Sequence, residues 1–364
     1  MAGAKSTAKL GVALLLAAAL FDAEPLYVGG AAFCLLAALC TAWVVSGASG
    51  LKIERRLGAA KVEEDRPLAV EVVLTGARVA LPTCEIEDPL LDEPARLRGG
   101  RRTVTLPIEA RFPRRGRQWI DPPRAVLRDP LRLAERVVSG RGRDEILVLP
   151  RVEPILAAAD GDGAQGTVTR RPRPGIAPAA EVDIDGLRPH RDGAPASRIH
   201  WPAFARTGVL LERRLRPEGD TRPLVVLDPR GPDEDAIDMA VRAAASLCVH
   251  LARSGGCGLL LPGDRRPTPL EPGLAGWPHL HTRLALVDTG ASPSLAGMAA
   301  RRGPVIYVAA RVTGGMPRAL LHAPTAAARV LVVPGRVSGR VSSFAVAGCH
   351  GYELEAARRR RAAA

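Results

Sequence analysis

Two apolar stretches at the start of the chain constrain its fold more than anything that follows. Leu10–Phe21 is rich in Ala and Leu and is preceded by Lys5 and Lys9. Leu26–Ser46 is apolar throughout, with Tyr27 and Trp43 near its two ends, where interfacial anchors sit. The second stretch is long enough for a hydrocarbon core of ~30 Å; the first reaches that length only with Ala8, Lys9 and flanking residues drawn in. Asp22-Ala23-Glu24-Pro25 provides a short polar turn between them. Lys52, Arg55 and Arg56 follow the second stretch, so the positive-inside rule places the N-terminus and everything after about residue 50 in the cytosol. A cleaved signal sequence is the alternative reading of Leu10–Phe21. Its small residues, Ala17-Ala18-Ala19, lie inside the apolar run, a poor position for cleavage. Either reading leaves the second stretch exiting to the cytosol.

Beyond the apolar hairpin, assigned to residues 1–50, period-two alternation takes over. Leu68–Leu74, Thr83–Glu87, Arg102–Ala110 and Glu145–Leu149 read as short strands. Leu81-Pro82, Asp88-Pro89, Gly99-Gly100 and Arg115-Gly116 supply turns between them. This pattern predicts a β-sandwich-like domain over residues 51–155. Residues 157–182 are Ala, Gly, Asp, Pro and Arg with little apolar material, a linker composition. Together with the Arg/His/Trp-rich stretch that follows, they form a connecting segment over 156–221.

From about residue 222 the pattern changes again. Leu224–Leu227 is a fully apolar run ending at Asp228, the signature of a buried parallel strand. Asp233–Arg253 has helical spacing, with Pro232 and Asp233 at its start and Gly255-Gly256 at its end. Gly258–Leu261, Leu284–Val287, Val305–Ala309 and Val330–Val333 read as further strands, with helices near Pro293–Arg301 and Pro317–His322. Alternating units of this kind predict a doubly wound α/β domain over residues 222–350, with sites at the carboxyl ends of its strands. Residues 351–364, which include Arg358-Arg359-Arg360-Arg361, read as a basic, disordered tail, with contact to anionic lipid headgroups as the alternative.

The net charge of +13 does not by itself indicate a nucleic-acid partner. Only Lys5, Lys9, Lys52 and Lys61 are lysines and the chain has no Asn, a bias that a GC-rich genome produces. Aromatic residues make up 3%, too few for a base-stacking platform, so no nucleic acid is expected. The six cysteines form no C-x-x-C pair, which fits reduced thiols better than disulfides or zinc.

The most distinctive stretch is Gly186-Leu187-Arg188-Pro189-His190-Arg191-Asp192-Gly193, continuing to Arg198-Ile199-His200-Trp201-Pro202-Ala203-Phe204-Ala205-Arg206. With the apolar hairpin before it and the apolar strand after it, the chain resembles the membrane family called domain of unknown function 58. The resemblance spans nearly the whole chain. Gly186, Leu187, Arg188, Arg198, Ile199, His200, Trp201, Ala205 and Arg206 match the family block; His190 replaces a usual aromatic and Ala194 a usual Asp. The resemblance implies a von Willebrand factor A-like α/β domain and a non-enzymatic interaction role beside a MoxR-type AAA+ ATPase.

Domains of the von Willebrand A type often hold a divalent cation through Asp-x-Ser-x-Ser after the first strand. Here the corresponding run is Asp228-Pro229-Arg230-Gly231-Pro232, with Arg and Pro in place of both Ser residues. A fixed positive charge opposes a cation, so no metal and no cofactor are expected, and Arg230 is expected to pair with Asp228. Trp201 is expected to be a packed anchor. Arg188, Arg198 and Arg206 either grip carboxylates on a partner or bind the segment to the α/β domain. His200 is read as structural, His279-Leu280-His281 as a loop without further metal ligands, and Asp288-Thr289-Gly290 as a strand-end turn or site loop. No phosphate-cradling Gly-x-x-x-x-Gly-Lys occurs, so the chain is not expected to hydrolyse ATP. A metal-dependent adhesion module and a membrane-associated hydrolase are the rival readings, the latter lacking an assembled nucleophile and base.

Overall fold

The computed structural model describes residues 2–157, 184–189, 199–215, 222–296, 303–321 and 328–354, with backbone alone over 184–189 and 212–215. The chain divides into two compact units, Met1–Val148 and Leu149–Ala364.

The first unit opens with helices α1 (Ala2–Phe21) and α2 (Glu24–Ala48). Both are long and apolar enough to cross a membrane, judged by length and composition. At 1.5 Å per residue they measure about 30 and 37 Å. They pack where side chains are absent: a Cβ on Gly11 would lie 2.6 Å from Cys34 Sγ, and one on Gly30 would lie 2.8 Å from the Gly11 carbonyl oxygen. Small residues at this crossing let the backbones approach closely. Leu16, Leu20, Val28, Leu35 and Leu39 point outward, each more than 60% exposed.

Ten strands follow. They are β1 (Lys52–Leu57), β2 (Lys61–Glu63), β3 (Leu68–Thr75), β4 (Thr83–Glu87), β5 (Ala95–Leu97), β6 (Val104–Ala110), β7 (Gly116–Ile120), β8 (Arg124–Arg128), β9 (Glu135–Ser139) and β10 (Asp144–Leu149). They form three sheets, ordered β1-β3-β6, β2-β10-β7 and β5-β4-β8-β9. Ile53, Val72, Ile86, Leu127 and Ile146 from all three sheets share one core, which also takes in Ala4, Cys40 and Val44 of the helices. The period-two alternation of β1, β4 and β10 arises because each buries one face there.

Arg55 is an unexpected member of that interior. Its side chain is fully buried, donating through Nε and Nη2 to Asp88 Oδ2 (3.0 and 2.9 Å), through Nη1 to Asp144 Oδ2 (2.7 Å) and through Nη2 to the Asp121 carbonyl (2.8 Å). Arg55 is thus an internal cation, and the basic flank after α2 rests on Lys52 and Arg56, both exposed.

The second unit adds β11 (Leu156–Ala157), the hairpin β12 (Ile184–Pro189) and β13 (Leu211–Leu215), and between them helix α3 (Trp201–Thr207). Then come β14 (Leu224–Asp228), α4 (Glu234–Ser254), β15 (Cys257–Leu260), β16 (Thr268–Leu270), α5 (Trp277–Ala285), β17 (Val305–Ala309), α6 (Arg318–Leu321), β18 (Arg329–Pro334), β19 (Phe344–Val346) and β20 (Cys349–Leu354). One eight-stranded sheet runs β11-β19-β20-β18-β17-β14-β15-β16. Its centre, β15-β14-β17-β18, is parallel, and its flanks are antiparallel. The residues of β14, β17 and β18 are all buried, which explains their unbroken apolar runs. Asp233 caps α4 by accepting from the Ala236 amide at 2.7 Å, and Gly255 and Gly256, both at positive φ, end it.

Three sequence expectations are corrected here. Leu284 and Ala285 end helix α5 rather than forming a strand; Leu280 and Leu284 are one helical turn apart and buried together. His279 and His281 lie on that helix, not in a loop, and His281 Nε2 contacts the Pro150 carbonyl at 2.6 Å while its ring stacks on Trp277. The expected tail from residue 351 begins as strand, since β20 continues to Leu354 between β18 and β19. The linker over 158–183, most of the expected helix at Pro293–Arg301 and the run Arg358–Arg361 lie outside the described residues.

Candidate functional site

The first parallel strand, β14, has β15 on one side and β17 on the other: the chain leaves β14 for β15 and later crosses back to β17. The carboxyl end of such a strand is the switch point where α/β sheets open a crevice. Asp228 is the last residue of β14 and lies in register with Ala309 of β17. The chain turns away tightly: the Ala310 amide donates to the Asp228 carbonyl at 2.9 Å, and the Gly231 amide to the Pro229 carbonyl at 2.8 Å. A Cβ on Gly231 would sit 2.9 Å from the Ala310 carbonyl oxygen, so a side chain there would push the loop off β17.

The Asp228 side chain is fully buried and Arg230 is 45% exposed. Arg230 grips it with two nearly parallel bonds, Nε to Oδ1 and Nη2 to Oδ2, both 2.8 Å, while its own amide reaches Oδ1 at 3.2 Å. The bidentate fork is the strongest geometry available to a guanidinium and a carboxylate. Tyr307 of β17 adds a third donor, its hydroxyl meeting Oδ2 at 2.5 Å. Burial pushes the Asp228 carboxyl up, but the hydrogen bonds from Arg230 and Tyr307 outweigh it and hold the group below the ordinary carboxylate value. The same cluster raises Arg230, through its bond to Asp228, and Tyr307, through burial and then its bond to Asp228.

The Asp228–Arg230 pair anticipated from the sequence is therefore formed. Tyr307 is a further member of the site, and its sequence signal is a single polar-tipped ring in the otherwise apolar strand Val305–Ala309, a buried hydroxyl that needs a partner. Among the described residues no three His, Cys, Asp or Glu side chains gather as a metal-ligand set. Asp288 follows the end of helix α5, not a strand end as expected.

The Arg/His/Trp segment forms a separate feature. His200 caps α3, its Nδ1 accepting from the Ala203 amide at 3.1 Å, and Gly208 closes the helix in the left-handed region. Trp201, expected to be packed, is 56% exposed and meets Phe204 edge-on at 6.2 Å. None of the residues of this short helix is buried in the described structure, and Phe204 is 38% exposed. Arg206 is exposed in its last turn. Arg188 lies on β12 opposite Glu212 of β13, described as backbone alone, and Arg198 lies outside the described residues. Among the described residues no hydrogen bond or ion pair joins α3 to the Asp228 cluster.

No family model and no curated protein matches the chain. Among solved structures, Cwp6 from Clostridium difficile is similar over 70% of this chain, with 10% identity and a TM-score of 0.17. The matched region spans 33% of that structure's own length, and a superposition this poor carries no argument about fold or function.

Proposed function

We propose that this chain is a membrane-anchored, non-enzymatic interaction protein of the domain of unknown function 58 type, working with a MoxR-type AAA+ ATPase in the assembly of other complexes. In this reading α1 and α2 cross the bilayer, the strands of the first unit and the whole second unit face the cytosol, and the second unit contains the von Willebrand A-like domain. The observation that carries the reading is the closed Asp228–Arg230 fork at the switch point. A domain that binds ligands through a metal needs an open carboxylate at that strand end. Here the guanidinium occupies the cation's place and presents a partly exposed, charge-matched surface instead. The same geometry disfavours the metal-dependent adhesion reading. Trp201 and Phe204, exposed on α3, add aromatic anchors of the kind enriched at interaction hot spots.

The test is a pulldown of tagged full-length protein from detergent-solubilised membranes, wild type beside Arg230→Glu, read by mass spectrometry. Recovery of an AAA+ ATPase by the wild type alone supports the reading and puts the interface at the strand end. Equal recovery by both moves the interface elsewhere, and no ATPase in either removes the partner.

A further inference from the structure

We propose that three loops at the foot of the helical hairpin form a binding surface for anionic lipid headgroups. The proposal rests on the reading of α1 and α2 as membrane spans. All parts of the surface belong to the first unit, and the contacts fix their level. The Ala4 amide donates to the Leu133 carbonyl at 2.6 Å, which ties the loop 129–134 to the first turn of α1. A Cβ on Gly47, in the last turn of α2, would lie 2.6 Å from Pro82 Cδ, so the loop 76–82 abuts the other helix end. The loop 98–102 is bonded to it, Leu81 N to the Arg101 carbonyl at 3.2 Å and Gly100 N to the Leu81 carbonyl at 2.9 Å.

These loops carry Arg78, Arg98, Arg101, Arg102 and Arg132, all exposed and none ion-paired among the described residues. Lys5 is exposed on the neighbouring first turn of α1. The one acid within them, Asp129, is 1% exposed and bonded to the Leu131 and Ala134 amides. The bordering carboxylates Glu85 and Glu135 are both engaged by Arg128. Between the arginines stand two outward apolar side chains, Leu131 (57% exposed) and Val79 (38%). Trp43, 44% exposed near the end of α2, sits at the depth where aromatic belts form. Unpaired guanidinium groups interspersed with apolar tips, at the level where a span leaves hydrocarbon, match an anionic headgroup layer in both charge and polarity. A soluble acidic partner would match the arginines but leave Leu131 and Val79 without an apolar environment.

The test uses the full chain, with Cys34 replaced by alanine and a fluorophore on Ala80→Cys, in vesicles of phosphatidylcholine with about 30% phosphatidylglycerol. The quantity read is quenching by headgroup-spin-labelled phosphatidylglycerol divided by quenching by the phosphatidylcholine analogue. The expected ratio is about fivefold or more, the preference that one arginine contributes at a charged surface. It falls to about one in Arg78→Glu/Arg101→Glu/Arg132→Glu, provided that variant keeps the wild-type circular dichroism. A ratio near one in the wild type, or a ratio that survives the folded triple variant, overturns the proposal. Should the triple variant misfold, raising salt to about 1 M must lower the wild-type ratio, because screening then acts beyond about 3 Å; a salt-insensitive ratio overturns the proposal equally. Alkaline carbonate extraction of the same vesicles reads the spans separately: release of the protein defeats the membrane reading, whereas retention with a ratio near one defeats only the headgroup surface.

Discussion

Tyr307 and Arg230 converge on one oxygen, Asp228 Oδ2, at 2.5 and 2.8 Å, from a neighbouring strand and from the loop two residues on. The buried carboxylate is therefore held by one group that the core fixes in place and one that solvent can reach.

This division of labour has a pH signature. Asp228 is held below its ordinary value, so it contributes stability at pH above the unfolded-state pKa of about 3.9 and loses it as pH falls through the lower folded value. Arg230→Met removes the guanidinium bond that lowers the carboxyl most and leaves burial opposed only by Tyr307 and the residue-230 amide, so the folded value moves up. The variant should be less stable than wild type by about 1–3 kcal/mol at pH 7, a range kept low because Arg230 is half exposed. The gap should narrow towards pH 4 in urea titrations. A gap that does not change with pH would count against the ionised fork.

Removing the fixed cation should uncover the site it fills. Arg230→Ser together with Pro232→Ser places two hydroxyls beside Asp228, the hard oxygen donors that Mg²⁺ requires. Calorimetry should find Mg²⁺ affinity in the double variant and none in the wild type. Two silent titrations would show that the strand end lacks the geometry of a cation site.

The Arg55 cluster predicts a larger loss. Arg55→Ala strands Asp88, whose side chain is fully buried, and should cost about 3–5 kcal/mol. Arg55→Met with Asp88→Leu should recover much of that, since a well-packed apolar pair avoids the unpaired charge. Denaturant midpoints of the two variants separate these outcomes.

In the hairpin, Gly11→Val meets Cys34 Sγ and the Gly30 carbonyl within 3 Å of its Cβ. The helices must then separate. Cross-linking between a cysteine introduced at Ala8 and the native Cys34, whose Sγ approaches the Ala8 carbonyl at 3.9 Å, should fall sharply in this variant. Unchanged cross-linking would mean that the close crossing does not hold the pair together.

Thiol chemistry offers a check on both cores. Burial pushes Cys84 up to about 11 and Cys349 up to about 12, so neither is a thiolate near neutral pH. An alkylating reagent at pH 8 should modify Cys84 and Cys349 only after denaturation. Rapid labelling of either in native protein would contradict their burial.

What the sequence disclosed follows from how local each signal is. Leu224–Leu227 and Val305–Ala309 are readable because both faces of the parallel strands are buried, so each run lacks the polar alternation of a half-exposed strand. Leu284–Val287 shows the same run for another reason: it closes a helix whose buried side repeats every fourth residue, and four apolar letters cannot separate the cases. Cys349–Leu354 escaped because His350 and Glu353 break the run where the strand is only partly covered. The Asp228–Arg230 pair was legible at a spacing of two. Tyr307 lies 79 residues from Asp228, and only the parallel register brings it to that carboxylate. Arg55 looked like a membrane-flanking charge because its partners, Asp88 and Asp144, are 33 and 89 residues distant.

The place of β20 has a consequence for how the protein is made. It lies inside the sheet, between β18 and β19, and β11 is reached only through β19. The first unit has all ten of its strands once Leu149 has emerged from the ribosome, whereas the second lacks an interior strand until Leu354 has emerged. During that interval β14, β17 and β18, apolar on both faces, have no complete sheet to enter. A chain truncated before residue 349 would carry a complete first unit joined to a second one in which the β18 edge that β20 covers stays open to other chains.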